Sequence, residues 1–137
     1  GYWGLEAETR QALSNGWFRT GDAARCDADG YYFIVDRWKD MYISGGENVY
    51  PAEVERVLGQ HPHVAEVAVV GVPDETWGEA GRAYVVAASA EFDASELLGW
   101  AGKRLARYKL PREVVVVAEL PRTASGKVQK HALLARS

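Results

Sequence analysis

The spacing of apolar positions along this chain changes period several times, and each change marks an element. Helix formers run over residues 6–13 and close at Ser14-Asn15-Gly16, which predicts a short surface helix. Residues 22–36 read as a hairpin, with Ala23-Ala24-Arg25-Cys26 and Tyr31-Tyr32-Phe33-Ile34-Val35 flanking the turn Asp27-Ala28-Asp29-Gly30. Asp and Gly tolerate the left-handed conformation such a turn needs. Then comes the densest stretch: the charged corner Asp36-Arg37-Trp38-Lys39-Asp40, a short strand, the Gly45-Gly46 break and a helix opened by Pro51. A charged corner cannot be buried without partners, so it is expected to cross the surface between two packed units, as a hinge.

Past the corner, Val54, Val57 and Leu58 recur at helical spacing while Glu53, Glu55 and Arg56 face out, and Gly59 and Pro62 stop the helix. Residues 64–72 and 82–87 are apolar strands joined by a loop over 73–79. Asp93 with Glu96 forms a capping-box variant for a helix whose Leu97, Ala101 and Leu105 share a face, running to about Ala106. Residues 113–117 are a third core strand, and 127–134 a last short helix. There is no internal repeat. The expectation is a small α/β (α+β) domain, a three-stranded sheet flanked by helices, preceded by a β-hairpin tail.

Composition narrows the classes. A chain of 137 residues suits one domain, or a small domain plus a piece of another. A net charge of -3 argues against a general nucleic-acid binder. No apolar run approaches the ~18 residues that span a membrane, and the start carries no basic-then-apolar signal, so a cytoplasmic location is expected. The one cysteine, Cys26, excludes an internal disulfide framework and fits a reducing compartment; it is expected half-buried in its strand. His61, His63 and His131 lack metal-ligand spacing and are expected at the surface, and no metal site is expected.

The candidate chemistry lies at four places, each with a plainer reading beside it. Asp22 follows Gly21 at the mouth of a strand, where a carboxylate can accept hydrogen bonds from the vicinal hydroxyls of a ribose, or simply close a turn. Arg37 offers a fork suited to ribose and phosphate oxygens, and Lys39 is a charged hinge candidate; with Asp36 and Asp40 they could equally form a surface ion-pair cluster of little energetic value. Gly45-Gly46 permits close approach to the backbone, or a tight turn before a helix. Lys127, after Ser125-Gly126, is a compact charge on a stretch expected to be a mobile surface loop, or a merely solvated lysine; Walker spacing is absent.

Three ordered motifs, Gly16-Trp17-Phe18-Arg19-Thr20-Gly21-Asp22, the run from Val35 to Glu55, and Leu120-Pro121-Arg122-Thr123-Ala124-Ser125-Gly126-Lys127, resemble the C-terminal region of adenylate-forming enzymes, the superfamily of acyl-CoA synthetases, luciferases and peptide-synthetase adenylation domains. The resemblance implies that residues 1–36 are the tail of the large N-terminal AMP-binding domain and residues 37–137 the small mobile C-terminal domain. It implies an acid-thiol ligase that makes an acyl-adenylate from ATP and a carboxylic or fatty acid, then transfers the acyl group to CoA. Asp22 and Arg37 would bind the nucleotide, and Lys39 would be the hinge. Gly45, Gly46 and Glu47 would lie on the face that swings in for CoA, with Gly46 lining the pantetheine passage. Lys127 would be catalytic in the first step. Tyr108, Lys109 and Arg112 would lie near the CoA nucleotide, or merely complement a helix dipole. The Mg2+ site and the acyl pocket would belong to the N-terminal domain, the partner implied here, and the chain alone would be inactive. Lys39 and the ending Val128-Gln129-Lys130 lean toward fatty-acyl and aryl CoA ligases. The alternatives are an adenylation domain that loads a carrier protein, or a non-catalytic module that binds a nucleotide, CoA or a partner.

Overall fold

The structure, a computed structural model, describes residues 1–135. It divides into two compact units, Gly1–Lys39 and Asp40–Ser137.

The first unit holds α1 (Glu6–Ala12), the two-residue strands β1 (Leu13–Ser14) and β2 (Trp17–Phe18), and the antiparallel pair β3 (Asp22–Cys26) and β4 (Tyr32–Arg37). The β3–β4 turn forms as its residues dictate. The Asp27 carboxylate accepts from the backbone N–H of Asp29 at 3.0 Å and of Tyr31 at 2.9 Å, and Gly30 has φ +87. Cys26 is exposed, not half-buried, because this hairpin has no layer packed on it: Ala23 is the unit's one buried residue.

The second unit contains β5 (Tyr42–Ser44), β6 (Glu47–Val49), α2 (Pro51–Leu58), β7 (Val64–Asp74), β8 (Gly78–Ala87), α3 (Ala94–Ala101), a 3-10 turn at Arg107–Lys109, β9 (Glu113–Val116) and α4 (Lys130–Leu134). The fold class is mixed α/β as expected, but the sheet has five strands where three were expected, in the order β6-β5-β8-β7 with β9 parallel to β8. The difference starts at Gly45-Gly46, which does not merely break the chain. With φ +60 and +86 it makes the two-residue type of hairpin turn that needs positive φ at both positions, and Glu47-Asn48-Val49 returns as a strand against β5.

β7 and β8 pair from Val64↔Ala87 to Asp74↔Gly78, so the expected 73–79 loop shrinks to a tight turn. Asp74 caps that turn, its Oδ1 accepting from the N–H groups of Thr76 and Trp77. The two strands read as near-continuous apolar runs because both faces are covered. Val69, Ala83 and Val85 face α2 and α3, packing with Val54, Leu58, Leu97 and Ala101. Ala68, Val70 and Tyr84 face Leu120 and Leu133, and the Tyr84 hydroxyl donates to the Leu133 carbonyl at 3.0 Å.

Asp93 caps α3 as its sequence foretells, its Oδ1 accepting from the Glu96 N–H at 2.8 Å. The helix ends at Ala101 and not near Ala106, but the following turn still delivers Leu105 to the core. His61, expected at the surface, is only 3% exposed: its ring meets the Trp100 ring edge-on at 5.3 Å between centroids, and its Nδ1 accepts from the His63 N–H.

Candidate active site

In the first unit, the hairpin register sets Asp22 directly opposite Arg37. Arg37 Nε lies 3.0 Å from Asp22 Oδ1, with the aspartate side chain 21% and the arginine side chain 53% exposed. Asp22 is held further by its own N–H, which donates to Thr20 Oγ1 at 3.2 Å, and the Trp38 N–H donates to the Gly21 carbonyl at 2.9 Å. One edge of the hairpin thus presents a carboxylate acceptor beside a guanidinium donor, the complement of a vicinal diol next to an anionic group. Such a half-exposed pair adds little to stability. Lys39 is exposed on the turn that leaves β4, and no hydrogen bond or ion pair holds its side chain among the described residues.

In the second unit, Gly45, Gly46 and Glu47 are adjacent in sequence but have distinct surroundings. A Cβ on Gly45 would strike the Trp77 ring, and the Gly45 N–H donates to the Trp77 carbonyl at 3.0 Å. A Cβ on Gly46 would meet nothing within 4 Å. Gly45 is therefore the packed side of the turn and Gly46 the open side, with Glu47 exposed next to it. Glu79 steadies the strand from below, accepting from the Ile43 N–H at 2.9 Å.

Trp77 carries no signal of its own in the sequence, where its neighbourhood reads as loop. Arg112 stacks over its ring at 5.0 Å, and the Arg112 N–H donates to the Gly81 carbonyl. Indole Nε1 of Trp77 and the Tyr42 hydroxyl are both buried without a hydrogen-bond partner among the described residues. Burial chiefly, and then the carboxylates of Glu79 and Glu55, push the Tyr42 pKa above the ordinary tyrosine value. Of the three residues assigned to the CoA nucleotide, Lys109 is committed elsewhere: its ammonium binds both Glu53 oxygens at 2.8 Å, tying the 3-10 turn to α2.

Lys127 is exposed on what is a closed turn and not an open loop. The Gly126 N–H donates to the Thr123 carbonyl at 2.9 Å, the Thr123 N–H to the Lys127 carbonyl at 2.8 Å, and the Lys127 N–H to Thr123 Oγ1 at 3.1 Å. Gly126, at φ +84, supplies the left-handed residue that this three-residue turn requires. Among the described residues no group of three or more His, Cys, Asp or Glu could hold a metal ion, and no helix is long and apolar enough to cross a membrane.

A small α/β domain with a glycine turn at one sheet end and a lysine-bearing turn elsewhere agrees with the comparisons. Residues 53–127 match the family model of the AMP-binding enzyme C-terminal domain, and the chain belongs to that family. It is 52% identical over 132 residues to the long-chain-fatty-acid–CoA ligase FadD13 of Mycobacterium tuberculosis, covering 96% of this chain and 26% of that protein. It is 53% identical over 131 residues to a feruloyl-CoA synthase of Amycolatopsis sp, covering 95% and 27%. In structure it is similar to o-succinylbenzoate CoA synthetase (MenE) of Bacillus subtilis solved in complex with its acyl-adenylate intermediate, with TM-score 0.91, 43% identity, and coverage of 97% of this chain and 27% of that one. The chain spans about a quarter of the length of the curated relatives it matches.

Proposed function

We propose that this chain is the C-terminal part of an ATP-dependent acid–CoA ligase of the cytoplasm. In the first step the carboxylate attacks the α-phosphate of ATP, giving an acyl-adenylate and pyrophosphate; in the second the CoA thiol displaces AMP and forms the thioester. The reading rests chiefly on one observation: the hairpin brings Asp22 and Arg37, far apart in sequence, into a single ion pair with the donors and acceptors a ribose needs.

Residues 1–36 then close the large AMP-binding domain, and residues 37–137 form the small domain that moves against it. The exposure of Trp3, Trp17, Tyr32 and Ile34 supports this, since so much apolar surface on so small a unit calls for a covering body, and the large domain is the partner that fits. Lys127 serves the first step, its ammonium offsetting charge that builds up between acid and phosphate. A swing about Lys39 then brings in the Gly45-Gly46 face, whose open side at Gly46 leaves room for the pantetheine arm and whose neighbour Glu47 lines the same passage. Any Mg2+ accompanying ATP is held by the large domain. CoA is favoured over a carrier protein as thiol acceptor because the relatives above are named as CoA-forming enzymes.

The experiment is thioester formation by the full polypeptide that carries this chain, with ATP, CoA and a panel of fatty and aromatic acids, beside the chain alone. Turnover by the full polypeptide and none by the chain alone is the expected result. Robust turnover by the pure chain, or none by the full polypeptide on any acid, would overturn the proposal.

A further inference from the structure

The catalytic lysine's turn is held from outside by a residue that the chemistry above does not use. Arg122 pairs in register with Val128 at the base of the turn, and its guanidinium reaches back across it. Nη1 donates to the Gly126 carbonyl at 2.6 Å, the peptide immediately before Lys127, and Nη2 binds Glu66 Oε1 at 2.9 Å. Glu66 lies in β7, which pairs along its length with β8. The fork therefore connects the Gly126–Lys127 peptide to the sheet through two charge-assisted hydrogen bonds. Downstream of the turn, Lys130 Nζ binds Glu55 Oε1 at 2.7 Å, and the same oxygen accepts from the Val69 N–H of β7 at 2.8 Å. Both arms of the turn are thus referred to one strand.

We infer that Arg122, oriented by Glu66, is a positioning residue for Lys127, setting where its ammonium stands during adenylate formation; this rests on the proposed role of Lys127. Arg122 and Glu66 are each more than two-fifths exposed, so their ion pair contributes little to folding. The spatial demand of catalysis is much steeper: a displacement of about 1 Å in a charged group can cost on the order of 100-fold in rate. Arginine is required because only a planar fork reaches carbonyl and carboxylate together; a lysine is a point charge and can serve one of them.

The test uses the full polypeptide carrying this chain and measures the two half-reactions separately: acid-dependent ATP–pyrophosphate exchange, and thioester formation from supplied acyl-adenylate and CoA. Arg122→Ala is expected to lower the exchange kcat by roughly 10- to 100-fold, with KM for ATP and the thioester step within about twofold of the parent and the melting temperature little changed. Glu66→Gln, which keeps an acceptor, should fall between parent and Arg122→Ala, and Arg122→Lys should recover only part of the loss. If Arg122→Ala does not fold, the other two variants carry the same test. An unchanged exchange rate, or equal losses in both half-reactions, overturns the inference. Lys127→Ala run alongside separates the two proposals: if it leaves exchange intact, the proposed role of Lys127 has failed, whereas a loss with Lys127→Ala but not with Arg122→Ala defeats the positioning role alone.

Discussion

Two adjacent glycines in this chain answer to different constraints. Gly45 needs its positive φ and also the absence of a Cβ, because the Trp77 ring occupies that space; Gly46 needs only the φ. A left-handed residue costs an L-amino acid about 1–2 kcal/mol, and forced overpacking adds about 1–3. Gly45→Ala should therefore destabilise by roughly 2 to 5 kcal/mol, clearly more than Gly46→Ala, in urea unfolding followed by tryptophan fluorescence. Equal losses would mean that Trp77 yields without cost. Tyr42 is the converse case, a buried hydroxyl with no hydrogen-bond partner among the described residues. Its ring fills the space over the cross-strand pair Gly71 and Gly81, which have no Cβ to collide with it. Removing an unsatisfied polar atom while keeping the ring is close to neutral or stabilising. The folded state also raises the Tyr42 pKa, so its contribution is present below the ordinary tyrosine value of about 10 and is lost as pH rises through the folded value. Tyr42→Phe should thus keep or increase stability at neutral pH and reduce alkaline lability, as read by melting temperature against pH.

At the scale of elements, legibility followed the strength of the local signal. The long strands β7 and β8, the Asp93 cap and the Asp27 turn were all readable, because apolar runs and turn residues report their own surroundings. β6 was not, since Glu47-Asn48-Val49 is short and two of its three residues are polar; the glycine pair ahead of it was the available signal, as a hairpin turn and not a break. The Lys127 turn repeats three bonds of the Asp27 turn, with Thr123 in place of Asp27 and Gly126 in place of Gly30, so its closure was also within reach of the sequence. Burial of His61 was not, because nothing adjacent to it in sequence announces Trp100. For the cap, Asp93→Ala should cost about 1 kcal/mol in the same unfolding measurement; a change near zero would mean that α3 is held by Leu97 and Ala101 alone.

At the scale of the whole molecule, the two units differ in how much holds them. The first buries Ala23 and exposes its aromatic residues, while the second packs two apolar clusters against opposite faces of one sheet. A two-stranded hairpin without a packed face is marginal in water. In the separate chain, amides of β3 and β4 should exchange with solvent orders of magnitude faster than those of β7 and β8, and in the full polypeptide the hairpin should become protected. Of the candidate site, the motif residues could be proposed from the sequence, whereas their neighbours Trp77, Glu66 and Glu55 could not, since partners brought together by β7 and its turn leave no trace in local spacing.

If one small domain serves the two proposed steps with two separate faces, each face can be disabled without the other. The most direct measurement is of both half-reactions, made on the full polypeptide carrying Lys127→Ala and, separately, Gly46→Leu. Lys127→Ala is expected to lower adenylate formation by roughly 100- to 1,000-fold and to spare thioester formation from supplied acyl-adenylate, while Gly46→Leu is expected to do the reverse. Parallel losses in both half-reactions for either variant, or an unimpaired adenylation step without Lys127, would contradict it.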